Sequence, residues 1–401
     1  MKKARHLILS ASLIIICAFL TVTAAALRVG EVIDYVLATD IRAFIDGSEI
    51  AAYNIGGKLG VVAEDLTDYG FSVVWNGESR TLSVTRNENP TVKNVLFEEK
   101  KTQNIGAKTK AVLYTDIVTY LDGNVVQSFN IDGQTIIYFS ELAKYGSCMY
   151  DDNARLSMIS SLGVGFETVT IKDIPKEIIH AGGAIDGVVG SNSIEALNDS
   201  YEKGHRFLEL DFVLSSDGIP VCLHDWSPIY SPSLGSWPIT AAEFSQVKIY
   251  GYLTSVTIDN LYVWLKEHPD AYIITDVKDD NITALRTISK RYPDIVSRLI
   301  PQIYQYSEYA PVRALGYSNI ILTLYCLPRY EHKVNSTYNA SFAEKHRLFG
   351  VTADVTLIDN SFVAPYEKKN LNLFVHTVND EEKKQELYSL GIDCIYTDFA
   401  K

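Results

Sequence analysis

The chain has 401 residues, of which 47% are hydrophobic and 21% charged, the proportions of an ordinary globular protein, and this excludes long disorder. Its 49 acidic residues outnumber the 36 basic ones, giving a formal charge of −13. Such a surface repels polyanions and argues against a nucleic-acid partner.

The first 26 residues read as a targeting segment. Lys2, Lys3 and Arg5 precede an apolar stretch from Leu7 to Val22 and then Ala24-Ala25-Ala26. A basic start, an apolar core and small residues at a cleavage site describe a secretory signal, with an uncleaved membrane anchor as the alternative. Cys17 follows three isoleucines and lacks the small residue expected before a lipid-bearing cysteine. Either reading places the bulk of the chain outside the cytoplasm, at the cell surface or beyond. The other cysteines, Cys148, Cys222, Cys326 and Cys394, form no CxxC or CxC pair and read as buried free thiols.

Residues 38–105 and 106–165 repeat one another. Asp46-Gly47 recurs at Asp122-Gly123, Asn54 at Asn130, Gly57 at Gly133 and Tyr69-Gly70 at Tyr145-Gly146. Each copy predicts short alternating strands, an Asp-Gly turn, a further strand and a short helix. Two copies at one spacing predict two small α+β modules. They resemble the stalk-like modules named after the N-terminal domain of copper amine oxidases. No cluster of His or Cys here could hold copper, so the resemblance implies spacers or units that bind a cell-wall component.

From residue 175 to 401 strands alternate with helices. Apolar runs fall at 177–183, 206–214, 271–278, 299–304, 319–326, 348–355, 371–378 and 394–399, with helical segments such as Ser193–Lys203, Asn281–Tyr292 and Glu381–Leu390 between them. Eight β units over this length predict a (β/α)8 TIM barrel, whose active site belongs at the C-terminal ends of the strands. The polar residues embedded in the runs fall at those ends: His180, Glu209 and Asp211, Asp276 and Lys278, Gln302 and Tyr304, Thr323 and Tyr325, Asp354, His376 and Asp398. Charges inside a barrel are costly unless paired or bound to an ion.

Glu209, Asp211 and Asp276 are candidate ligands for one hard cation, Ca²⁺ or Mg²⁺, since oxygen-only ligation suits these ions. A network in which Lys278 and Arg206 neutralise the carboxylates is the competing account. His180 and His224 are candidates for general acid and base, with Asp225 placed to orient His224. His376 reads as a pocket or packing residue.

In this order the residues resemble the glycerophosphodiester phosphodiesterase family, within the barrel superfamily of phosphatidylinositol-specific phospholipase C. The motifs are His180-Ala181-Gly182, Ser191-Asn192-Ser193, Glu209-Leu210-Asp211, the run Asp217-Gly-Ile-Pro-Val-Cys-Leu-His224-Asp225, and Thr397-Asp398. The resemblance implies metal ligation by Glu209 and Asp211, acid–base roles for His180 and His224, and a phosphate contact from Lys278. Asn192, Tyr304, Tyr325 and His376 join Lys278 as candidate substrate contacts. Three positions depart from the pattern: Asp276 in place of a glutamate, Ala181 in place of an arginine and Ser191 in place of a glutamate. The expected substrate is a small or lipid-derived phosphodiester such as a glycerophosphodiester. A non-catalytic surface binder and a lyase that forms a cyclic phosphate are the alternatives.

Overall fold

The computed structural model describes residues 27–97, 102–169, 171, 173–327 and 334–400. Residues 1–26, expected to be a targeting segment, lie outside them.

Residues 32–86 and 108–160 each supply seven strands, the first of them, Val32–Leu37, lying just ahead of the first repeat, and the two sets are interlaced. A closed six-stranded barrel runs in the order Val32–Leu37, Ala52–Ile55, Lys58–Val62, Gln134–Tyr138, Ser128–Ile131 and Lys108–Leu113, three strands from residues 32–62 and three from residues 108–138. Two four-stranded sheets flank it, and both mix the copies. The hairpin Arg42–Ile45/Ser48–Ile50 joins Ser147–Asp151 and Leu156–Ser160, while Val118–Leu121/Asn124–Val126 joins Phe71–Asn76 and Thr81–Arg86. A lone hairpin has open edges and one face to cover. Each copy closes the other's edges, so the modules form one body. The turns follow the repeat: Asp46-Gly47 and Asp122-Gly123 have positive φ at both residues (49° and 76°, 47° and 77°), the twist that a tight hairpin requires. The predicted short helices are 3-10 turns at Glu64–Asp68 and Phe139–Tyr145.

The C-terminal region is a closed barrel of eight parallel strands: Glu177–Ile179, Phe207–Leu214, Tyr272–Val277, Leu299–Ile303, Ile321–Thr323, Gly350–Asp354, Leu373–His376 and Cys394–Thr397. Pairing of Ile179 with Leu208 closes it. All eight lie within the apolar runs read from the sequence. The helices begin on capping side chains, Ser193 before Ile194–Glu202, Asp280 before Asn281–Arg291 and Asp380 before Glu381–Ser389.

The barrel interior is layered. Ile178, Phe207, Ile274, Ile300, Ile321 and Phe374 pack together as an apolar floor. Two residues further along each strand stand His180, Glu209, Asp276, Gln302, Thr323 and His376. A period of two keeps both sets on the inner face, so the same pleat that fills the floor delivers the polar groups to the mouth. Gly350 makes room for this floor, because a β-carbon there would sit 2.4 Å from Phe374 Cε2.

The N-terminal body is fused to the barrel flank. Phe44, Leu156 and Met158 share one buried core with Val312 and Leu315, and Arg286 donates from Nε to the Asp46 carbonyl at 2.9 Å. Among the described residues no disulfide is formed; Cys222, Cys326 and Cys394 are buried as expected, but Cys148 is exposed.

Candidate active site

His180 leaves the first barrel strand in a tight reversal. Ala181, Gly182 and Gly183 all have positive φ (48°, 78° and 104°), which turns the Ala181 N–H onto Glu209 Oε2 at 2.8 Å. Asn192, also left-handed at φ 47°, holds Asp211 twice, once at its backbone and once at its carboxylate. Its Oδ1 accepts from Asp211 N at 2.9 Å and its Nδ2 donates to Asp211 Oδ2 at 3.0 Å. Asparagine is one of the few residues other than glycine that adopts this conformation readily.

Glu209 and Asp211 share the inner face of the second strand, and Asp276 sits opposite Asp211 in register on the third. Their exposures are 1%, 2% and 8%. One oxygen from each lies within 4.8 Å of the others. Glu209 Oε1 is buried with no hydrogen-bond partner. Burial and then the Asp211 charge push the Glu209 carboxyl well above the usual range. Three buried carboxylates with an orphaned oxygen are what a divalent cation would satisfy, so the residues present fit one.

Asp276 is tightly held. Tyr304 and Tyr325 both donate their hydroxyls to its Oδ1, at 2.6 and 3.0 Å, and Lys278 Nζ lies 2.8 Å from its Oδ2. The ammonium also pairs with Asp211 Oδ1 at 3.0 Å. Burial opposes the lysine's charge, but Asp276 and Asp211 override it and raise its pKa. Arg206, the other candidate for neutralising this cluster, pairs instead with Asp270.

His180 Nδ1 donates to Asp398 Oδ1 at 2.8 Å, across the seam between first and last strands. Asn379 Nδ2 donates to the other Asp398 oxygen at 2.6 Å. The pairing leaves His180 Nε2 towards Glu209, 3.9 Å from its Oε2. Burial pulls the imidazole down, yet Asp398, Glu209 and Asp211 together raise it to about 9. His376 has no such partner: burial lowers its pKa, and its Nε2 is buried without a hydrogen bond.

A cavity of 330 Å³ at the strand ends is lined by His180, Glu209, Asp276, Lys278, Tyr325 and His376, with Gln302, Thr352, Asp354, Thr377 and Tyr396. Asn192, expected to touch substrate, is buried behind the carboxylates with its amide taken up by Asp211, whereas Tyr304 gives its hydroxyl to Asp276 and also lines the cavity beside His224. His224 stands apart on an exposed loop, with Nδ1 2.9 Å from Asp225 Oδ2. It lines an adjoining cavity of 430 Å³ that shares Lys278 and Tyr325 with the first. The sequence reading passed over Asn379 and gave Asp398 no role. Asp398 was visible as a polar residue ending the last strand, but its partner lies 218 positions away.

Fold and site together define a TIM barrel with a histidine beside a buried carboxylate cluster at its mouth. The model of the glycerophosphoryl diester phosphodiesterase family, a family of phosphoric diester hydrolases, matches this barrel over residues 180–248 and 298–401. Between the matched segments lies the stretch that carries Asp276 and Lys278. Among solved structures, the chain is similar to an Oleispira antarctica phosphodiesterase in complex with the product sn-glycerol-3-phosphate (19% identity, 56% of this chain, 94% of that one, TM-score 0.44). It is also similar to glycerophosphodiester phosphodiesterases from Parabacteroides distasonis (19%, 56% and 92%, 0.45) and Thermotoga maritima (18%, 57% and 97%, 0.43). No curated protein sequence matches the chain.

Proposed function

We propose that this protein hydrolyses glycerophosphodiesters, or related lipid and envelope phosphodiesters, outside the cytoplasm, with Ca²⁺ or Mg²⁺ held by Glu209, Asp211 and Asp276. The convergence of these carboxylates beside His180, at the mouth of a barrel that matches this family's model, carries the reading. When bound, the cation would polarise a phosphoryl oxygen and offset charge building at phosphorus.

The chain's own residues supply the rest. Lys278, shared by the two cavities, binds the phosphate, so the two alcohol arms of a diester extend to either side. Asp398 fixes the tautomer of His180 and leaves Nε2 to exchange a proton with one oxygen of the phosphate ester. His224, on the far side of Lys278, exchanges the second. Water is the nucleophile for hydrolysis, whereas a substrate hydroxyl would give a cyclic phosphate. The N-terminal body serves as a spacer or cell-wall-binding unit, and the basic-then-apolar N-terminus supports export.

The test incubates the full-length protein with glycerophosphocholine and related diesters, with Ca²⁺, Mg²⁺ or EDTA, and follows products by ³¹P NMR. Metal-dependent release of glycerol phosphate that disappears in His180→Ala supports the reading. Ala181 favours one rival, a surface protein that binds phosphodiesters without turnover, because the bidentate donor that arginine would provide is missing. Binding without any product across the panel would establish that rival.

A further inference from the structure

Lys278 stands where the cation site and the phosphate site meet, and the carboxylate oxygens leave little choice about what it does there. A carboxylate oxygen offers two lone-pair directions. Asp276 Oδ1 already accepts from both tyrosine hydroxyls, so a further cation must use Oδ2, which Lys278 Nζ occupies. Asp211 turns Oδ2 to Asn192 and Oδ1 to the same ammonium. Glu209 Oε1 has no partner, and Asp211 Oδ1 makes no hydrogen bond beyond its ion-pair contact with the ammonium at 3.0 Å. A cation drawing one oxygen from each carboxylate therefore shares Asp276 Oδ2 with the lysine, and meets the same ammonium again at Asp211 Oδ1, the Asp211 oxygen that makes no hydrogen bond. Two cations crowded onto the same pair of oxygens repel one another strongly in so buried a place.

We propose that Lys278 and the divalent cation compete for Asp211 and Asp276, and that cation binding releases the ammonium to the substrate phosphate. This rests on the metal-dependent phosphodiesterase reading above. The released ammonium has a destination. Among the described residues lining the cavity Lys278 is the one lysine or arginine, since alanine occupies position 181. The side chain at 276 is shorter than a glutamate by one methylene, and its Oδ2 lies 2.8 Å from Nζ. The side chain that holds the carboxylates closed is thus the one the phosphate requires, and the cation sets which of the two it serves.

The experiment titrates the full-length, metal-free protein with MgCl₂ and CaCl₂ by calorimetry, beside Lys278→Met. Removing the competitor should tighten cation binding about tenfold or more, the worth of a charge-assisted contact. Equal or weaker binding to the variant overturns the competition while leaving the metal-dependent reading intact. Absence of binding to both proteins overturns the two together. A second readout uses the wild-type protein alone, through acylation of amines by sulfo-N-hydroxysuccinimide acetate followed by peptide mapping. Lys278 labelling should rise on addition of the cation and fall again with inorganic phosphate. Labelling that is unchanged at saturating cation overturns the proposal, whether or not Lys278→Met folds.

Discussion

His180 Nδ1 and Asp398 Oδ1 lie 2.8 Å apart although 218 residues separate them in the chain. The contact exists because the first and last strands are neighbours in the closed barrel, with Ile179 opposite Thr397. It makes Asp398 a positioning residue: it chooses the tautomer and the direction in which Nε2 points.

Replacing Asp398 by Asn should therefore lower the His180 pKa from about 9 towards the ordinary 6.5, since a raising partner is lost. An NMR titration of the metal-free protein reads this directly. Diester hydrolysis should fall by roughly 10²–10⁴-fold, the typical contribution of a positioned acid or base. An unchanged histidine titration would remove the positioning role.

Asn192 holds Asp211 through both of its amide atoms. Asn192→Ala should leave a buried carboxylate free to swing and weaken cation binding by about 10–100-fold, as loss of a ligand's supporting partner does. Calorimetric titration of the variant against wild type checks this.

Glu209 gives a pH signature in the metal-free protein. Its folded pKa is raised above its unfolded value, so between the two the native state binds one proton more than the unfolded chain. Stability should accordingly fall as pH rises through that window, by up to about 1.4 kcal/mol per pH unit. Glu209→Gln should flatten the dependence and abolish cation binding. Urea midpoints measured from pH 5 to 9 test the slope, and an alkaline rise in wild-type stability would contradict it.

Gly350→Ala tests the barrel floor. The added carbon would meet Phe374 Cε2 at 2.4 Å, an overpacking that should destabilise the fold by about 1–3 kcal/mol. Urea unfolding of the variant provides the measurement.

Much of this organisation is legible in the residues. The eight apolar runs are the eight strands, and the polar residues within them sit at the barrel mouth, because a strand's period of two fixes which side chains face inward. The repeat spacing likewise carries over strand by strand. Its interlacing does not: strand order reports what a chain can pair, and only the assembled sheets show which copy covers which edge. Asn192 and Tyr304 illustrate the same limit within the site. Their types suit a phosphate contact, but the direction of each side chain depends on carboxylates on other strands.

The sequence by itself determined the barrel, its polar mouth and the set of carboxylates, through local periodicity and motif order. Tertiary structure decided the partners. Barrel closure brought Asp398 to His180, register set Asp276 beside Asp211, and the position of Lys278 between those two put an ammonium where the sequence placed a metal ion. Pairings of this kind arise from closure and register across strands distant in the chain, which no local pattern encodes.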